Sequence, residues 1–586
     1  MKEFFKFFTA SCLGVFAAFI LVFFVFAGFL GSMMGGKPVV PKNTVLEIDL
    51  SAVPERSDNV EVSILDAQNT NFLGMHDAIK LIDHAADDDK VQGILIKGES
   101  GIGGQVTALR IREAIEGFKE SGKFVYAYGD FYSQMGYYLG STADSIFINP
   151  SGAVDIRGFS TMIPFYKKAM NKLGVKMNIF YAGNFKSATE PYRRSEMSEP
   201  NKLQTSEYLT GMVNKYIDGV AASRGLSTDQ VNDIMTNYAG RDAASCLDNK
   251  LVDQISYFDD VEILLRERMG LKKGKKIKYK TLSEYKTLAK LKEEDSKDDK
   301  IAVVYAEGII NYNASALGDV NIPKYRKALQ KIRHDDDIKA MVLRVNSPGG
   351  NALTSDILWN EIERIKELGK PVVASFGDYA ASGGYYIAAG ADTIVSAPNT
   401  LTGSIGVFMM FPDVSELASE KVGVTFDDVR THPMAAGLSP FEALNDQEKE
   451  ILQEGTDQIY ETFLKRVSDG RGMSRDAVHE VAQGRVWLGD KAQELGLVDV
   501  IGDLADAIKI AGEMADIDSY SLKSYPTIKE DPFKEIVQQF MKEEDVSLEM
   551  GLDAQDLKVF KEIRSAKEII SDRTPQARLP FVIQLN

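Results

Sequence analysis

The sequence predicts a tandem α/β protein, two copies of one layered domain on a single chain. Three observations carry that prediction. The stretch Gly377-Asp378-Tyr379-Ala380-Ala381-Ser382-Gly383-Gly384-Tyr385-Tyr386 has a near-copy 248 residues earlier, Gly129-Asp130-Phe131-Tyr132-Ser133-Gln134-Met135-Gly136-Tyr137-Tyr138. At the same offset Asp335 to Asp337 match Asp87 to Asp89, Gly349 matches Gly101, Asp392 matches Asp144 and Gly406 matches Gly158. Each copy also alternates short β-branched runs with longer amphipathic segments, the pattern of α/β layers. Finally, 586 residues are too many for one core and suit two domains of about 200 to 250 residues.

Taken in order, residues 1–36 read as a cytoplasmic N-terminus and a transmembrane anchor. Phe7 to Leu30 is a run of 24 residues without a charge, which at about 1.5 Å per residue spans a hydrocarbon core of about 30 Å with some tilt. A cleaved signal peptide has an apolar region of only about 7 to 15 residues. Lys2 and Lys6 precede the run, so the positive-inside rule leaves the N-terminus in the cytoplasm and everything after Gly36 outside it.

The first repeat covers 37–270. Its predicted strands are Val45 to Leu50, Val91 to Lys97, Phe124 to Tyr128 and Ser145 to Ile148, with a helix near Val106 to Lys119. Residues 271–300 are charged and read as a linker. The second repeat, 301–530, has predicted strands Ile301 to Tyr305, Ala340 to Val345, Val372 to Phe376 and Thr393 to Ser396, with a helix from about Ser355 to Leu368. Nearly continuous apolar strands predict sheets covered on both faces. Residues 531–586 read as a helical tail to about Asp572, ending in the extended-looking Arg578-Leu579-Pro580-Phe581-Val582-Ile583.

Bulk composition narrows the function classes. Lys and Arg number 68 against 85 Asp and Glu, a net charge of −17, and there is no basic stripe with interleaved aromatics; both argue against a nucleic-acid surface. The run Lys272-Lys273-Gly274-Lys275-Lys276 is short and lies between the repeats, where a solvated linker accounts for it. Two cysteines, Cys12 and Cys246, make no disulfide framework and no CxxC. Nothing in the sequence calls for a metal or an organic cofactor.

The chemistry lies in where the repeats differ. Ser382 in the second copy faces Gln134 in the first, and Lys186, in Tyr181-Ala182-Gly183-Asn184-Phe185-Lys186-Ser187, falls on Met434. A serine at a helix start ordinarily caps orphan N–H groups. A nucleophilic hydroxyl wants the same place, because free N–H groups there can stabilise an oxyanion and glycines let a substrate backbone approach. A second glycine element, Asn346-Ser347-Pro348-Gly349-Gly350-Asn351, follows the preceding strand, so Gly350 and Gly383 are the natural backbone donors to a bracketed carbonyl. The five histidines form no cluster; His432 alone lies near the repeat equivalent of Lys186. A lysine can replace histidine as base if burial lowers its pKa.

The motifs Arg344-Val345-Asn346-Ser347-Pro348-Gly349-Gly350, Asp378-Tyr379-Ala380-Ala381-Ser382-Gly383-Gly384-Tyr385, Thr402-Gly403-Ser404-Ile405-Gly406 and Asn184-Phe185-Lys186-Ser187-Ala188-Thr189-Glu190-Pro191 together resemble the long, tandem-repeat members of the signal peptide peptidase A family, peptidase family S49. The resemblance covers nearly the whole chain. It implies a Clp-protease and crotonase-like ββα-superhelix in each repeat, and a membrane-anchored serine endopeptidase that degrades remnant signal peptides. It makes Ser382 the nucleophile, Lys186 the general base and Ser404 a hydroxyl orienting the lysine amine. It also implies a bowl-shaped homotetramer on the outer, periplasmic side of the cytoplasmic membrane, with no cofactor and no nucleic-acid partner. Two departures from the pattern are mild: Phe185 precedes the lysine, and the first repeat has Gly101-Ile102 where the second has Gly349-Gly350. Glu190, four residues past the lysine, is expected to point elsewhere, since contact would raise the lysine pKa. Two other readings share these elements, a crotonase-like acyl-transfer enzyme and an inert membrane-tethered scaffold. The scaffold predicts that Ser382 and Lys186 lie far apart or that the serine is inert.

Overall fold

The computed structural model describes residues 39–48, 53–57, 73–98, 104–289, 298–312, 320–527 and 575–578. The predicted anchor at Phe7 to Leu30 and the glycine pair position at 101 lie outside them. Among the described residues no helix is long and apolar enough to cross a membrane.

The first repeat is built on a six-stranded parallel sheet. Its strands are β1 (Thr44–Ile48), β2 (Val91–Lys97), β3 (Phe124–Gly129), β4 (Ser145–Ile148), β6 (Gln254–Ile255) and β7 (Lys278–Thr281), in the order β6-β4-β3-β2-β1-β7. The strand β5 (Lys176–Ala182) leaves this sheet and joins another. Ile94, Ile96, Val125, Ala127 and Ile146 face one main core with Leu81, Ile111 and Ile115 from the covering helices Met75–Asp87 and Gln105–Glu120. Val45, Leu95, Phe124 and Phe147 pack on the other face under the helix Phe258–Arg268. Burial on both faces is what the unbroken apolar strands require.

The second repeat has the same plan. Its main strands are β8 (Lys300–Glu307), β11 (Ile338–Ser347), β13 (Val372–Ala381), β14 (Thr393–Ser396), β18 (Val500–Ile501) and β19 (Ser521–Tyr525), and the order β18-β14-β13-β11-β8-β19 mirrors the first sheet. The repeats diverge at one strand end. β3 stops at Gly129, whereas β13 runs on to Ala381 and pairs with β15 (Leu401–Gly403), itself antiparallel to β17 (Val486–Leu488). The first repeat keeps only a trace of this pairing, the lone bridge between Tyr132 and Val154, at the positions of Ala380 and Thr402.

A third, mixed sheet joins the halves. Its order is β10-β9-β12-β20-β16-β5, where β9 is Ile310–Asn311, β10 Val320–Asn321, β12 Gly349–Asn351, β16 Val407–Asp413 and β20 Gln576–Arg578. The lysine-bearing segment enters through β5, which runs antiparallel to β16 of the second repeat from Ala182 opposite Val407 to Lys176 opposite Asp413.

A buried polar knot adds to the join. Arg344 donates from Nε to Glu55 Oε2 at 2.8 Å and from Nη2 to Oε1 at 3.2 Å, and both residues are almost wholly buried. Asn346 Nδ2 donates to the same carboxylate at 3.0 Å. Asp378 accepts from the N–H of Val106 at 2.8 Å and the hydroxyl of Thr107 at 3.1 Å, at the start of a first-repeat helix. Burial, then the nearby Glu55 charge, push the Asp378 carboxyl up to about 6.

Two organisational expectations need revision. Residues 271–300 are not simply a linker, because β7 and the helix Leu282–Ala289 complete the first repeat's sheet and core, with Leu282 and Tyr285 buried. The strand is charged because it lies at a sheet edge, where lysine is the usual guard against further pairing. In the tail read as 531–586, the described residues form the strand β20, which lies inside the third sheet; the predicted helix lies outside the described residues.

Candidate active site

Ser382 sits between the end of β13 and the helix Gly383–Ala388. Its N–H donates to Gly403 O at 2.8 Å, which ties the turn to β15. The backbone there is at φ 55° and ψ −114°, a conformation that a residue with a side chain seldom adopts. Although Ser382 holds the N-cap position, its side chain makes no capping hydrogen bond. The equivalent turn in the first repeat behaves ordinarily: Ser133 caps its helix by accepting from Gly136 N at 3.0 Å.

The hydroxyl released from capping duty meets Lys186. Lys186 Nζ donates to Ser382 Oγ at 2.7 Å, to Ser404 Oγ at 3.0 Å and to Ser404 O at 3.0 Å. All three side chains are at most 2% exposed. Burial alone holds the amine well below the ordinary lysine value of 10.5, because no carboxylate lies close enough to pull it back up. Glu190 turns away, as expected. It accepts from Ser198 N at 3.1 Å and from Asn201 Nδ2 at 2.9 Å, at the start of the helix Glu199–Arg224. The lysine and serine therefore meet within one chain, not far apart as an inert scaffold requires.

The lysine reaches this point because its loop is docked on the second repeat. Phe185 N donates to Gln483 O at 2.8 Å, and Gln204 Nε2 donates to Phe185 O at 3.1 Å while its Oε1 accepts from Val486 N at 3.2 Å. Gly484, at φ 79°, lies so close that a Cβ on it would sit 2.7 Å from both Cα and Cβ of Lys186. Gln204, Gln483 and Gly484 were missed by the sequence reading. Their one available signal was the recurrence of Gly-Arg, as Gly240-Arg241 and Gly484-Arg485, at near-equivalent places in the two repeats.

In the first repeat the corresponding site is plugged. Gln134, where the serine would be, is 2% exposed. Its Oε1 accepts from the N–H of both Arg157 and Gly158 at 2.9 Å, and its Nε2 donates to Gly158 O at 3.1 Å. Met434, where the second lysine would be, is exposed, as is His432, whose Nδ1 lies 3.1 Å from Thr431 Oγ1.

Gly350 and Gly383 are both buried beside the serine. A Cβ on Gly383 would lie 3.0 Å from Gly350 N, and one on Gly349 would lie 2.7 Å from Gly383 N. The two N–H groups thus share a small space that only glycines leave open. A hydroxyl beside a neutral amine and next to paired N–H groups is equipped for attack on a carbonyl.

Known proteins point the same way. The model of peptidase family S49 matches residues 117–272 and again 364–518, so one match contains Lys186 and the other Ser382. This chain belongs to peptidase family S49. It is 36% identical to Protease 4 of Salmonella typhi over 465 residues, covering 78% of this chain and 74% of the relative. It is 37% identical to Protease 4 of Haemophilus influenzae, covering 75% and 73%. The chloroplastic serine protease SPPA of Arabidopsis thaliana is 32% identical, covering 74% and 64%. Among solved structures, ClpP1 of Listeria monocytogenes aligns with 35% of this chain and 94% of its own length, at 15% identity and a TM-score of 0.23. The S49 chain described here is accordingly a serine peptidase with an α/β fold.

Proposed function

We propose that this S49 peptidase is a membrane-anchored endopeptidase with a Ser382–Lys186 dyad, and that it degrades remnant signal peptides. The observation that carries the reading is the 2.7 Å contact between a wholly buried lysine amine and a serine hydroxyl that caps nothing. Ser382 Oγ attacks the scissile carbonyl carbon as Lys186 Nζ takes its proton. The N–H groups of Gly350 and Gly383 receive the negative oxygen, and the lysine ammonium then returns the proton to the departing amine. Water, deprotonated by the same amine, hydrolyses the acyl ester. Ser404 fixes the amine through its hydroxyl and carbonyl, leaving the nitrogen lone pair for Ser382.

The pH dependence has a definite sign. Only the neutral amine can accept the proton, so the competent fraction grows as pH rises through the depressed lysine pKa and levels off above it. A plot of log kcat/KM against pH should climb with a slope near one in the neutral range to a plateau well below 10.5. A profile with its maximum in acid would point to a carboxylate mechanism instead.

The substrate and location rest on the apolar run from Phe7 to Leu30 and on the family resemblance. An anchor there would hold the catalytic repeats against the outer face of the cytoplasmic membrane, where cleaved apolar segments collect. Deleting residues 1–36 should leave a soluble, active enzyme that cuts apolar extended peptides much faster than charged ones. Equal rates on both would remove the signal-peptide assignment while leaving the dyad.

The assembly reading, a homotetramer, gains support from the repeat logic. In the first repeat β5 crosses to pair with β16 of the second. The place that β5 holds in the first repeat falls on residues 424–430 in the second, where Val424, Phe426 and Val429 are exposed. The place of β16 falls on residues 159–165 in the first repeat, which have no strand partner and leave Met162 94% exposed. Joining 424–430 of one copy to 159–165 of the next repeats the internal contact between chains and gives a head-to-tail interface that can close a ring. Phe426→Asp combined with Val429→Asp should reduce the mass in light scattering from tetramer to monomer. An unchanged mass would remove this surface from the assembly.

A further inference from the structure

The third sheet contains a slot one strand wide between β12 and β16, and the chain's own residues 576–578 fill it. β20 is antiparallel to both neighbours, with Gly349, Gly350 and Asn351 opposite Arg578, Ala577 and Gln576, and Phe408 opposite Gln576 on the other side. Ala352 N donates to Pro575 O at 3.0 Å. In an antiparallel ladder the hydrogen-bonded pairs alternate, so two residues further along Gly350 and Ala577 form such a pair again, with the Gly350 N–H facing Ala577 O.

That carbonyl oxygen also borders the other candidate donor. A Cβ on Gly383 would lie 3.0 Å from Ala577 O and 3.0 Å from Gly350 N, and one on Gly349 would lie 2.1 Å from Ala577 O. The carbonyl of Ala577 therefore occupies the space between the two N–H groups that the dyad would use. Ala577 is fully buried with Ala380, Tyr385 and Val407 in the second-repeat core, and Gln576 is buried beside it. The strand does not end there, since Arg578 continues opposite Gly349. Backbone on both sides of the Ala577–Arg578 bond is held in extended form, which is how a substrate strand presents a scissile bond.

We propose that this segment is an intramolecular substrate, and that the enzyme cuts its own chain between Ala577 and Arg578. The inference rests on the Ser382–Lys186 reading given above. Ser382 Oγ bonds to the carbonyl carbon of Ala577, and its proton passes through Lys186 Nζ to the nitrogen of Arg578. The C–N bond breaks and residues 578–586 leave as a nine-residue peptide with a free amine. Water then splits the ester, restoring the hydroxyl and leaving Ala577 with a terminal carboxylate. Cleavage frees the slot on the Arg578 side, so the same event that trims the chain opens the cleft to other peptides. The buried Ala577 further assigns a small side chain to the position before the cut.

Intact mass spectrometry of the full chain tests this. The wild type should end at Ala577, and Ser382→Ala should keep residues 578–586. Ala577→Trp should also keep them, slowed at least tenfold, because a large side chain has no room at a fully buried position. A wild-type chain that keeps residues 578–586 while hydrolysing an added apolar peptide overturns self-cleavage and leaves the dyad standing. One that does neither overturns both. Trimming of Ser382→Ala to Ala577 in the absence of active enzyme, or trimming of Ala577→Trp at the wild-type rate, also overturns the proposal.

Discussion

Lys186→Ala and Ser382→Ala each lower kcat/KM on an apolar peptide by about 10⁴-fold or more, and combining them costs little beyond either alone, because a nucleophile and its base act as one unit. The geometry behind this is a single 2.7 Å hydrogen bond with one further hydroxyl and one carbonyl on the amine. No other base is at hand, since Glu190 is committed to Ser198 and Asn201 and His432 is exposed. Assembly mass and thermal midpoint should stay close to wild type, because the lysine is buried without an ionic partner and its loss removes a desolvated amine. Steady-state kinetics with single-turnover acylation measures the effect. A Lys186→Ala enzyme that retains more than a few per cent of wild-type turnover would take the lysine out of the mechanism.

The second large effect is on stability. Glu55→Ala leaves the Arg344 guanidinium buried with one of its main partners gone, and breaking a buried pair in this way costs about 3–5 kcal/mol. Arg344 keeps Ser375 Oγ at 3.0 Å and Phe376 O at 2.6 Å, but neither carries a charge. Glu55→Gln preserves an acceptor and should lose much less. Because Glu55 precedes the first repeat's helices and Arg344 lies on β11 of the second repeat, the loss should loosen one repeat from the other. It should therefore lower peptidase activity along with the thermal midpoint, although neither residue touches the dyad. Thermal inactivation followed by residual activity is the appropriate readout, since a chain of two repeats need not unfold in one step. A midpoint for Glu55→Ala equal to that of wild type would show that the knot contributes nothing to cohesion.

The site's main residues were legible because the sequence contains its own control. Ser382 against Gln134 and Lys186 against Met434 stand out only when one repeat is laid on the other. The parallel strands were legible too: Val91–Lys97, Ser145–Ile148 and Thr393–Ser396 have the bounds that their apolar runs suggest. What escaped is made of pieces too short for any periodicity. β9, β10, β12 and β20 have two or three residues each and exist through pairing with distant chain, so no local pattern announces the third sheet. The lysine's support has the same character, because Gln483 and Gly484 act through backbone shape at φ 53° and 79°. The edge strand Lys278–Thr281 hid behind its charges, which resemble those of a linker.

The placement of the lysine loop has a consequence for the order in which the chain is made. Lys186 leaves the ribosome first, Ser382 follows 196 residues later, and Gly484, on which the lysine backbone rests, comes after another stretch of about 100 residues. Until then the first repeat, complete in its own sheet and core, carries a lysine with no serine to act on. A chain that stalls or is clipped before the late turn is harmless, whatever membrane-bound polypeptides surround it. Proteolytic power in this molecule is thus tied to the completion of synthesis, and the split between repeats acts as a safeguard that needs no separate propeptide.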